Sequence, residues 1–277
     1  MNFKGKRFHL IFLLLWFGVV NPLSAQLTKD ENLSRYDERP IHFGFYLGVN
    51  TMDYRFTHYN NVLQNPVLID PTSDLNKKAE TYYNGVNQYY VECYPLNPGF
   101  TVGGVLNLRM NNVIDFRCTP GMSLGSRQLK FSDNINLYIN DPQVGGKLYS
   151  GQTYDRYMTI PSAYIDFPVG FRYKGSRFGN LRPYIYGGAA YRRDLESKRI
   201  SESVVHLKRN GYYAEVAFGL DTYFPYFRFT GEFKFSYGLN NIIMHDADIS
   251  SATPLPYYGY VLKELNSNIF TLIVYFE

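Results

Sequence analysis

The sequence lacks long apolar runs, recognisable catalytic motifs and an excess of charge of either sign. No segment after residue 25 contains the ~20 consecutive apolar residues that a membrane helix needs. Zinc-ligand spacings, phosphate-binding loops and nucleophile elbows are also missing. These absences exclude a helical membrane protein. They also lead us to expect no enzyme, no cofactor, no metal site and no small-molecule substrate.

The amino terminus has the composition of a secretory signal peptide over residues 1–25. Three basic residues precede the apolar run 10–20, and Leu23-Ser24-Ala25 offers a cleavage site that ends in small residues. A membrane anchor is the alternative, but the apolar run is too short for one. Removing the signal with its three basic residues leaves 25 of the 28 Lys and Arg against 24 Asp and Glu. This near neutrality argues against a nucleic-acid partner.

The segment from Phe227 to Tyr237 shows the strongest pattern in the chain. Its odd positions carry aromatic rings except at Gly231, whereas its even positions are polar and include Arg228, Glu232 and Lys234. Neighbouring side chains of a strand point to opposite faces, so this strand has one apolar and one charged face. A strand between lipid and a hydrated lumen needs that arrangement, whereas a soluble sandwich puts its apolar face inward.

Eight such segments predict an all-β fold, an eight-stranded antiparallel up-and-down transmembrane β-barrel of the outer-membrane type. They lie at 41–56, 100–110, 113–131, 159–173, 181–192, 211–224, 227–239 and 266–276. Long loops alternate with short turns, which is typical of such barrels and places both termini on the periplasmic side. We therefore predict a periplasmic N-terminal segment at 26–40 and a barrel at 41–277 in outer-membrane lipid. A lipocalin-like soluble barrel also has eight strands, but it would expose the aromatic face of 227–237 to water.

Reading the alternation strand by strand places many charged side chains inside the barrel. Eight strands enclose little more than side-chain volume, and isolated buried charges are costly, so these residues must pair with each other. The Pro225-Tyr226 turn sets a register in which Glu215 faces Ser236 and Lys234 lies diagonal to Glu215. We favour a structural network that blocks the lumen over a conducting pore or a ligand site. The predicted lumen charge network comprises Arg109, Asp115, Arg117, Asp166, Arg172, Arg182, Glu215, Asp221, Arg228, Glu232 and Lys234.

The two cysteines, Cys93 and Cys118, belong to an oxidising compartment if the chain is secreted. A tight Asn111-Asn112 turn would place Cys118 opposite Val105, and the alternation points Cys118 toward lipid. We therefore expect no disulfide between the two cysteines.

The predicted loops contain two groups of residues with functional potential. Tyr82, Tyr83, Tyr89 and Tyr90 lie in the first long loop, where they suit either a protein contact or the aromatic girdle at the membrane boundary. The segment His245-Asp246-Ala247-Asp248 is the only cluster that resembles an acid–base pair. A histidine beside carboxylates at a loop tip is usually solvated, so we do not assign catalysis to it.

The carboxyl-terminal end of the sequence carries a further feature. The last strand places an aromatic residue, Phe276, in the penultimate position, and Glu277 follows it. Outer-membrane barrels commonly end on the aromatic residue itself, so Glu277 departs from that pattern.

The order of the strand segments resembles the PorT/SprT family of Bacteroidota outer-membrane proteins. The resemblance rests on Ile41–Tyr54, Asn97–Arg109, Phe116–Arg127, Leu181–Tyr191, Tyr213–Asp221, Phe233–Leu239 and Leu265–Leu272. It implies a component of type IX protein secretion, and of gliding motility where that is present, with other components of that machinery as partners. The family has no assigned catalytic residues. A structural or adhesive surface barrel that acts through its outer loops is the alternative function.

Overall fold

The computed structural model describes residues 32–59, 89–93, 97–133, 137–139, 147–149, 154–195, 207–243 and 262–277. The predicted signal peptide, Tyr82, Tyr83 and the His245 cluster lie outside the described residues. In these ranges no helix is long and apolar enough to cross a bilayer. A 3-10 helix at Tyr36–Glu38 precedes the first strand. The strands are β1 (Ile41–His58), β2 (Tyr89–Cys93), β3 (Pro98–Arg109), β4 (Ile114–Cys118), β5 (Gly121–Asp133), β6 (Leu137–Ile139), β7 (Lys147–Tyr149), β8 (Tyr154–Lys174), β9 (Leu181–Asp194), β10 (Asn210–Tyr223), β11 (Arg228–Gly238) and β12 (Leu262–Phe276).

Antiparallel pairing closes the strands into a ring. Strand β1 pairs with β12 on one side and with β3 on the other, so the first and last strands meet. The ring then runs through β4 and β5 to β8, β9, β10, β11 and back to β12. β4 and β5 form one wall of the barrel, because both pair with β3 in the same continuous register. Pro120 lies between them and has no backbone N–H to donate. The ring thus has eight positions, and the predicted eight-stranded barrel is confirmed.

The pairing registers also define the stagger of the barrel. We followed the directly opposite residues from strand to strand around the ring. From Asn50 on β1 they are Thr271, Lys234, Ala217, Tyr186, Arg172, Asp115 and Arg109. The path returns to β1 at Pro40, whose carbonyl accepts from the Arg109 N–H, ten residues from Asn50. A stagger of this kind accompanies strands tilted by ~35–45° to the barrel axis.

Alternation along each strand puts apolar side chains outside and polar ones inside. On β10, Tyr212, Val216 and Phe218 are exposed, whereas Tyr213 and Glu215 between them are buried. Strands β1 and β8 show the same pattern of exposed apolar and buried polar side chains, which is the reverse of that in a soluble protein. The apolar outer surface is the lipid-facing band that an outer-membrane barrel requires.

The barrel has two unlike ends. Its turn end holds the short connections 110–113, 175–180 and 224–227, and its loop end lies opposite. At the loop end the strands run further than predicted: β1 continues to His58, β5 to Asp133, and β8 and β12 begin at Tyr154 and Leu262. Outward positions there become polar, as at Thr51, Asp53 and Arg55 of β1. Backbone pairing does not need lipid, so the sheet extends beyond the apolar band that guided the prediction.

The β3–β4 turn differs from the prediction by one residue of register. Cys118 faces Leu106, not Val105. The Asn111 side chain accepts hydrogen bonds from the backbone N–H groups of Val113 and Ile114, at 2.9 and 2.7 Å, which makes the turn longer than two residues. By contrast, the register predicted from Pro225-Tyr226 is correct, because Glu215 faces Ser236.

The same registers separate the two cysteines. Cys93 on β2 faces Leu129 on β5, and Cys118 lies on the same wall of the barrel as Leu129. The strand between Cys118 and Leu129 spans about 36 Å at ~3.3 Å per residue. A disulfide needs Cα atoms closer than ~7 Å, so this geometry does not permit one within the chain.

Candidate functional site in the barrel lumen

The lumen is where the chain concentrates its buried charge. All but one residue of the predicted lumen charge network are buried inside the barrel. The exception is Arg109, which lies at the turn-end rim and donates to the Glu38 carbonyl at 2.8 Å and to Asn112 Oδ1 at 2.5 Å. The alternation points Arg109 inward as predicted, but its position at the last pair before the turn leaves it in contact with solvent.

Near the turn end, Asp221 and Glu277 hold two arginines. Arg172 pairs with Asp221, which also accepts from the Thr230 hydroxyl at 2.7 Å. Arg228 lies 3.9 Å from Asp221 and pairs with the carboxylate of Glu277. The residue that follows the terminal aromatic therefore points into the lumen and neutralises an arginine there.

At mid-height, Glu232 is the centre of a second group. Arg117 Nη1 lies 2.7 Å from Glu232 Oε2, and Lys234 Nζ lies 3.4 Å from Oε1. The hydroxyls of Tyr184 and Tyr275 donate to the same carboxylate at 2.5 and 2.8 Å. Arg117 also lies over both tyrosine rings, so its charge is stabilised by cation–π contacts as well.

A third group lies further toward the loop end. Arg192 bridges two carboxylates, with Nε 3.2 Å from Asp166 Oδ1 and Nη2 2.6 Å from Glu215 Oε1. The Ser236 hydroxyl donates to Glu215 at 2.9 Å. Lys234 Nζ lies 3.8 Å from Glu215 Oε2, the diagonal contact predicted from the turn register. The three groups together form a continuous network along the barrel axis.

Residues before the first strand cover the turn-end mouth of the barrel. Asp37 lies 2.9 Å from Arg182 Nη1 and accepts from the Tyr223 hydroxyl at 2.8 Å. The Tyr36 ring lies 4.3 Å from the His42 ring, and Arg228 lies over Tyr36 at 5.0 Å. Burial raises the pKa of Tyr36 to about 12, so it packs there as a neutral phenol. We call residues 32–40 the N-terminal cover.

Glycines on the inner face make room for the tyrosines of the network. The Tyr184 ring lies across Gly219, where an added Cβ would be 2.4 Å from Tyr184 Cζ. The Tyr46 ring occupies the equivalent space over Gly103 and Gly121. The missing side chains of these glycines leave the space that the two rings occupy against the barrel wall.

The charged groups of the network bind one another and neighbouring hydroxyls. The carboxylate at mid-height is bound by cations and hydroxyls. A catalytic carboxylate would instead have to be free to contact a substrate. The described residues contain no group of three or more His, Cys, Asp or Glu side chains that could hold a metal ion. Breaking a buried pair costs ~3–5 kcal/mol because it leaves one charge unpaired, so the arrangement is well suited to locking the strands together.

Several functional residues were missed at the sequence level. Lys174 pairs with Asp115 at 2.7 Å, and Arg192 and Glu277 hold the partners described above. Arg127 is also buried in the lumen. All four have the inward parity of their strands, so the sequence carried the signal, but the predicted network did not include them. Asp37 carried no such signal because it lies outside the strands.

Of the tyrosines predicted to form a loop contact, Tyr89 and Tyr90 fall in the described part of the chain. They lie in β2, which pairs with β5 beyond the end of β3; Tyr89 faces Asp133 and Tyr90 faces Ser132. These residues therefore belong to the strand extension at the loop end of the barrel.

Comparison with known proteins gives one family match and several structural similarities. The family model described as outer membrane protein beta-barrel domain matches residues 24–244. Ail, the attachment invasion locus protein of Yersinia pestis, in complex with the heparin analogue sucrose octasulfate, is 10% identical with a TM-score of 0.32, covering 84% of this chain and 96% of that chain. OprG from Pseudomonas aeruginosa is 9% identical with a TM-score of 0.37, covering 85% of this chain and 90% of that chain. A search of curated proteins finds no match.

Proposed function

The chain belongs to the outer membrane protein beta-barrel domain family, and from that premise we propose that it serves type IX protein secretion as an accessory or assembly component. It is an outer-membrane β-barrel surrounded by outer-membrane lipid. The export role is supported by the resemblance of its strand segments, in order, to the PorT/SprT family. Gliding motility would depend on it where the same machinery delivers surface adhesins.

The buried ion pairs of the lumen are the observation that supports the accessory role. Ion pairs such as Arg117–Glu232 and Arg172–Asp221 have side chains at most 1% exposed. A folded cargo protein needs a far wider barrel than eight strands enclose. The barrel therefore contributes a surface or an assembly function to the export machinery, while another component forms the conduit.

The orientation follows the usual asymmetry of such barrels. Short turns face the periplasm and long loops face outward, which places the turn end, the N-terminal cover and Glu277 on the periplasmic side. The cover and the adjoining turns are then available to periplasmic components of the secretion machinery.

A clean deletion of the gene tests the export role. We expect cargo proteins to accumulate inside the cell with their sorting domains attached, as measured by quantitative proteomics of supernatant, periplasm and outer membrane. Complementation with the wild-type chain should restore secretion. The abundance of unrelated outer-membrane barrels serves as the control for envelope damage. Normal cargo secretion in the deletion strain would exclude the proposal.

A surface barrel that acts through its outer loops is the second candidate. The continuation of β1, β5, β8 and β12 beyond the apolar band favours it, because the sheet then extends past the part of the barrel that faces lipid. Removing residues 60–88 leaves β2 in place and should abolish surface binding while secretion stays normal. Loss of secretion in that variant would favour the export role instead.

A further inference from the structure

The turn end of the barrel has four joints between neighbouring strands. Short turns close three of them: 110–113 joins β3 to β4, 175–180 joins β8 to β9, and 224–227 joins β10 to β11. The fourth joint lies between β12 and β1, the last and first strands, which pair directly although they are far apart in the chain. We call this joint the seam. No turn ties the seam together at this end of the barrel.

The Glu277 side chain crosses the seam on the lumen side. The register that places Phe45 opposite Phe276 places Glu277 opposite Gly44 when it is extended by one residue. An added Cβ at Gly44 would lie 2.7 Å from Glu277 Cγ, so the missing side chain leaves the path that the glutamate takes. Beyond Gly44, the carboxylate accepts a hydrogen bond from Asn107 Nδ2 on β3. One side chain that follows β12 therefore reaches across β1 to the next strand.

The same carboxylate is anchored on the other side of β12. Its Oε2 pairs with Arg228 on β11, whereas its Oε1 accepts from Asn107. The backbones of Arg228 and Glu277 also exchange two hydrogen bonds, at 2.8 and 3.0 Å. Asn107 is fixed in turn, because its Oδ1 accepts from Arg117 Nε at 2.8 Å. Arg228 and Asn107 are 1% and 0% exposed, so one buried carboxylate links β11 and β12 to β3 across β1.

Aromatic rings meet across the seam on the outer surface. The Phe45 and Phe276 rings stack with their centroids 5.1 Å apart and their planes at 17°. Phe229, on β11, packs against Phe276 at 5.4 Å. Ring contacts of this kind give little hydrophobic gain in lipid, because acyl chains are as apolar as the rings. The Glu277 carboxylate supplies the stronger, charge-assisted contacts at this end of the seam.

We propose that Glu277 is a latch that takes the place of a turn and keeps the seam closed at the turn end. When its carboxylate leaves Asn107 and Arg228, the seam opens from this end, whereas the three joints that have turns stay shut. An open seam exposes the backbone groups of two strand edges, which are costly to leave unpaired in lipid. The latch therefore controls where this barrel can open toward the membrane.

Hydrogen–deuterium exchange of the mature barrel in phospholipid nanodiscs, with mass spectrometry of peptic peptides, tests the latch. We expect Glu277→Ala to raise the exchange rate at least ~10-fold in peptides that cover 43–49 and 270–276, because losing charge-assisted hydrogen bonds favours local opening. Exchange on the β9–β10 wall, in peptides that cover 181–190 and 213–221, should stay within about 2-fold of the wild type.

Two further variants separate a latch from a general loss of buried charge. Asp221→Asn is the matched control, because it removes a carboxylate beside Arg228 whose partners lie on β8 and β11. Its seam should exchange at the wild-type rate. Asn107→Asp keeps the acceptor for Arg117 Nε but loses the donor to Glu277. This variant should open the seam as Glu277→Ala does, although Arg228 retains its ion pair.

Three results would overturn the proposal. They are unchanged seam exchange in Glu277→Ala or in Asn107→Asp, an equal rise in exchange around the whole ring, and equal opening of the seam by Asp221→Asn. If Glu277→Ala does not insert into the membrane, Glu277→Gln replaces it under the same criteria, because it removes the charge and keeps the size of the side chain.

Discussion

At the scale of single residues, Glu232 shows how this lumen accommodates a buried carboxylate. Two cations and two phenolic hydroxyls surround it, contributed by β4, β9, β11 and β12. A buried ion pair is neutral or costly by comparison with apolar packing, but losing one partner is always costly. The pairs are therefore interdependent, and a single substitution should affect the contacts of several strands.

Glu232→Gln tests this interdependence. The substitution leaves Arg117 without the carboxylate that compensates its charge and removes one of the two carboxylates beside Lys234, so we expect a loss of ~3–5 kcal/mol in the free energy of unfolding. Denaturant unfolding of the barrel in micelles measures it. Glu264→Gln, on an exposed carboxylate of β12, should change stability by less than ~0.5 kcal/mol. Equal stability of the two variants would contradict the role assigned to Glu232.

Gly219 offers a second residue-scale test. Its missing side chain admits the Tyr184 ring, whose hydroxyl is fixed by Glu232 and cannot move aside without breaking that bond. We expect Gly219→Ala to cost ~1–3 kcal/mol through overpacking. Gly231→Ala is the matched control, because a Cβ there meets nothing within 4 Å. Denaturant unfolding of the two variants measures the difference in stability. If Gly219→Ala is as stable as the wild type, the Tyr184 ring can shift freely.

At the scale of elements, the N-terminal cover is the part least dictated by strand pairing. It is attached mainly by side chains, chiefly the Asp37 contacts to Arg182 and Tyr223 and the contact between the tilted rings of Tyr36 and His42. The Asn32 backbone N–H also donates to Asn180 Oδ1 at 2.9 Å, which anchors the start of the cover to the β8–β9 turn. An element held by a few partly exposed contacts opens more readily than the barrel beneath it.

Asp37→Asn should release the cover without unfolding the barrel. The substitution removes the ion pair with Arg182, so trypsin should cleave after Arg35 several times faster than in the wild type. Mass spectrometry of the digest measures the rate, and heat-modified migration on gels reports that the barrel is intact. Asp53→Asn, on the outer surface of β1, is the control. Unchanged cleavage would mean that Tyr36 and Asn32 are sufficient to hold the cover.

At the scale of the whole molecule, closure and stagger explain how the lumen is filled. Pairing of β1 with both β12 and β3 leaves the ring without a free edge, which a barrel in lipid requires because unpaired backbone groups are very costly there. Eight tilted strands enclose a space that side chains can occupy completely. Long polar side chains on the inner face then have no alternative to pairing across the lumen.

A closed lumen predicts that the barrel does not conduct. Reconstituted in a planar bilayer at neutral pH, the wild-type chain should give no steady single-channel current, because the ion pairs fill the path at three heights. Detergent-matched insertion of a known porin controls for the reconstitution. A stable open conductance from this chain would show that the network moves aside, and would reopen the conduit role.

The amino-acid sequence by itself determined which face of each strand meets lipid. The alternation of Phe229, Phe233 and Tyr237 with Glu232 and Lys234 is enough for that, because opposite orientation of neighbouring side chains is a local property of an extended backbone. A two-residue turn such as Pro225-Tyr226 likewise sets its own register. Where a side chain lengthened the turn, as Asn111 does, the local rule failed by one residue.

Only the tertiary structure decided which charges meet. Arg117 and Glu232 come from β4 and β11, on separate parts of the ring, and they pair because closure with a stagger of ten residues brings them to one height. The same closure brings Glu277 to Arg228 and leaves Arg127 among hydroxyls. Alternation decides that a side chain points inward, but distances across a lumen depend on the arrangement of all eight walls at once.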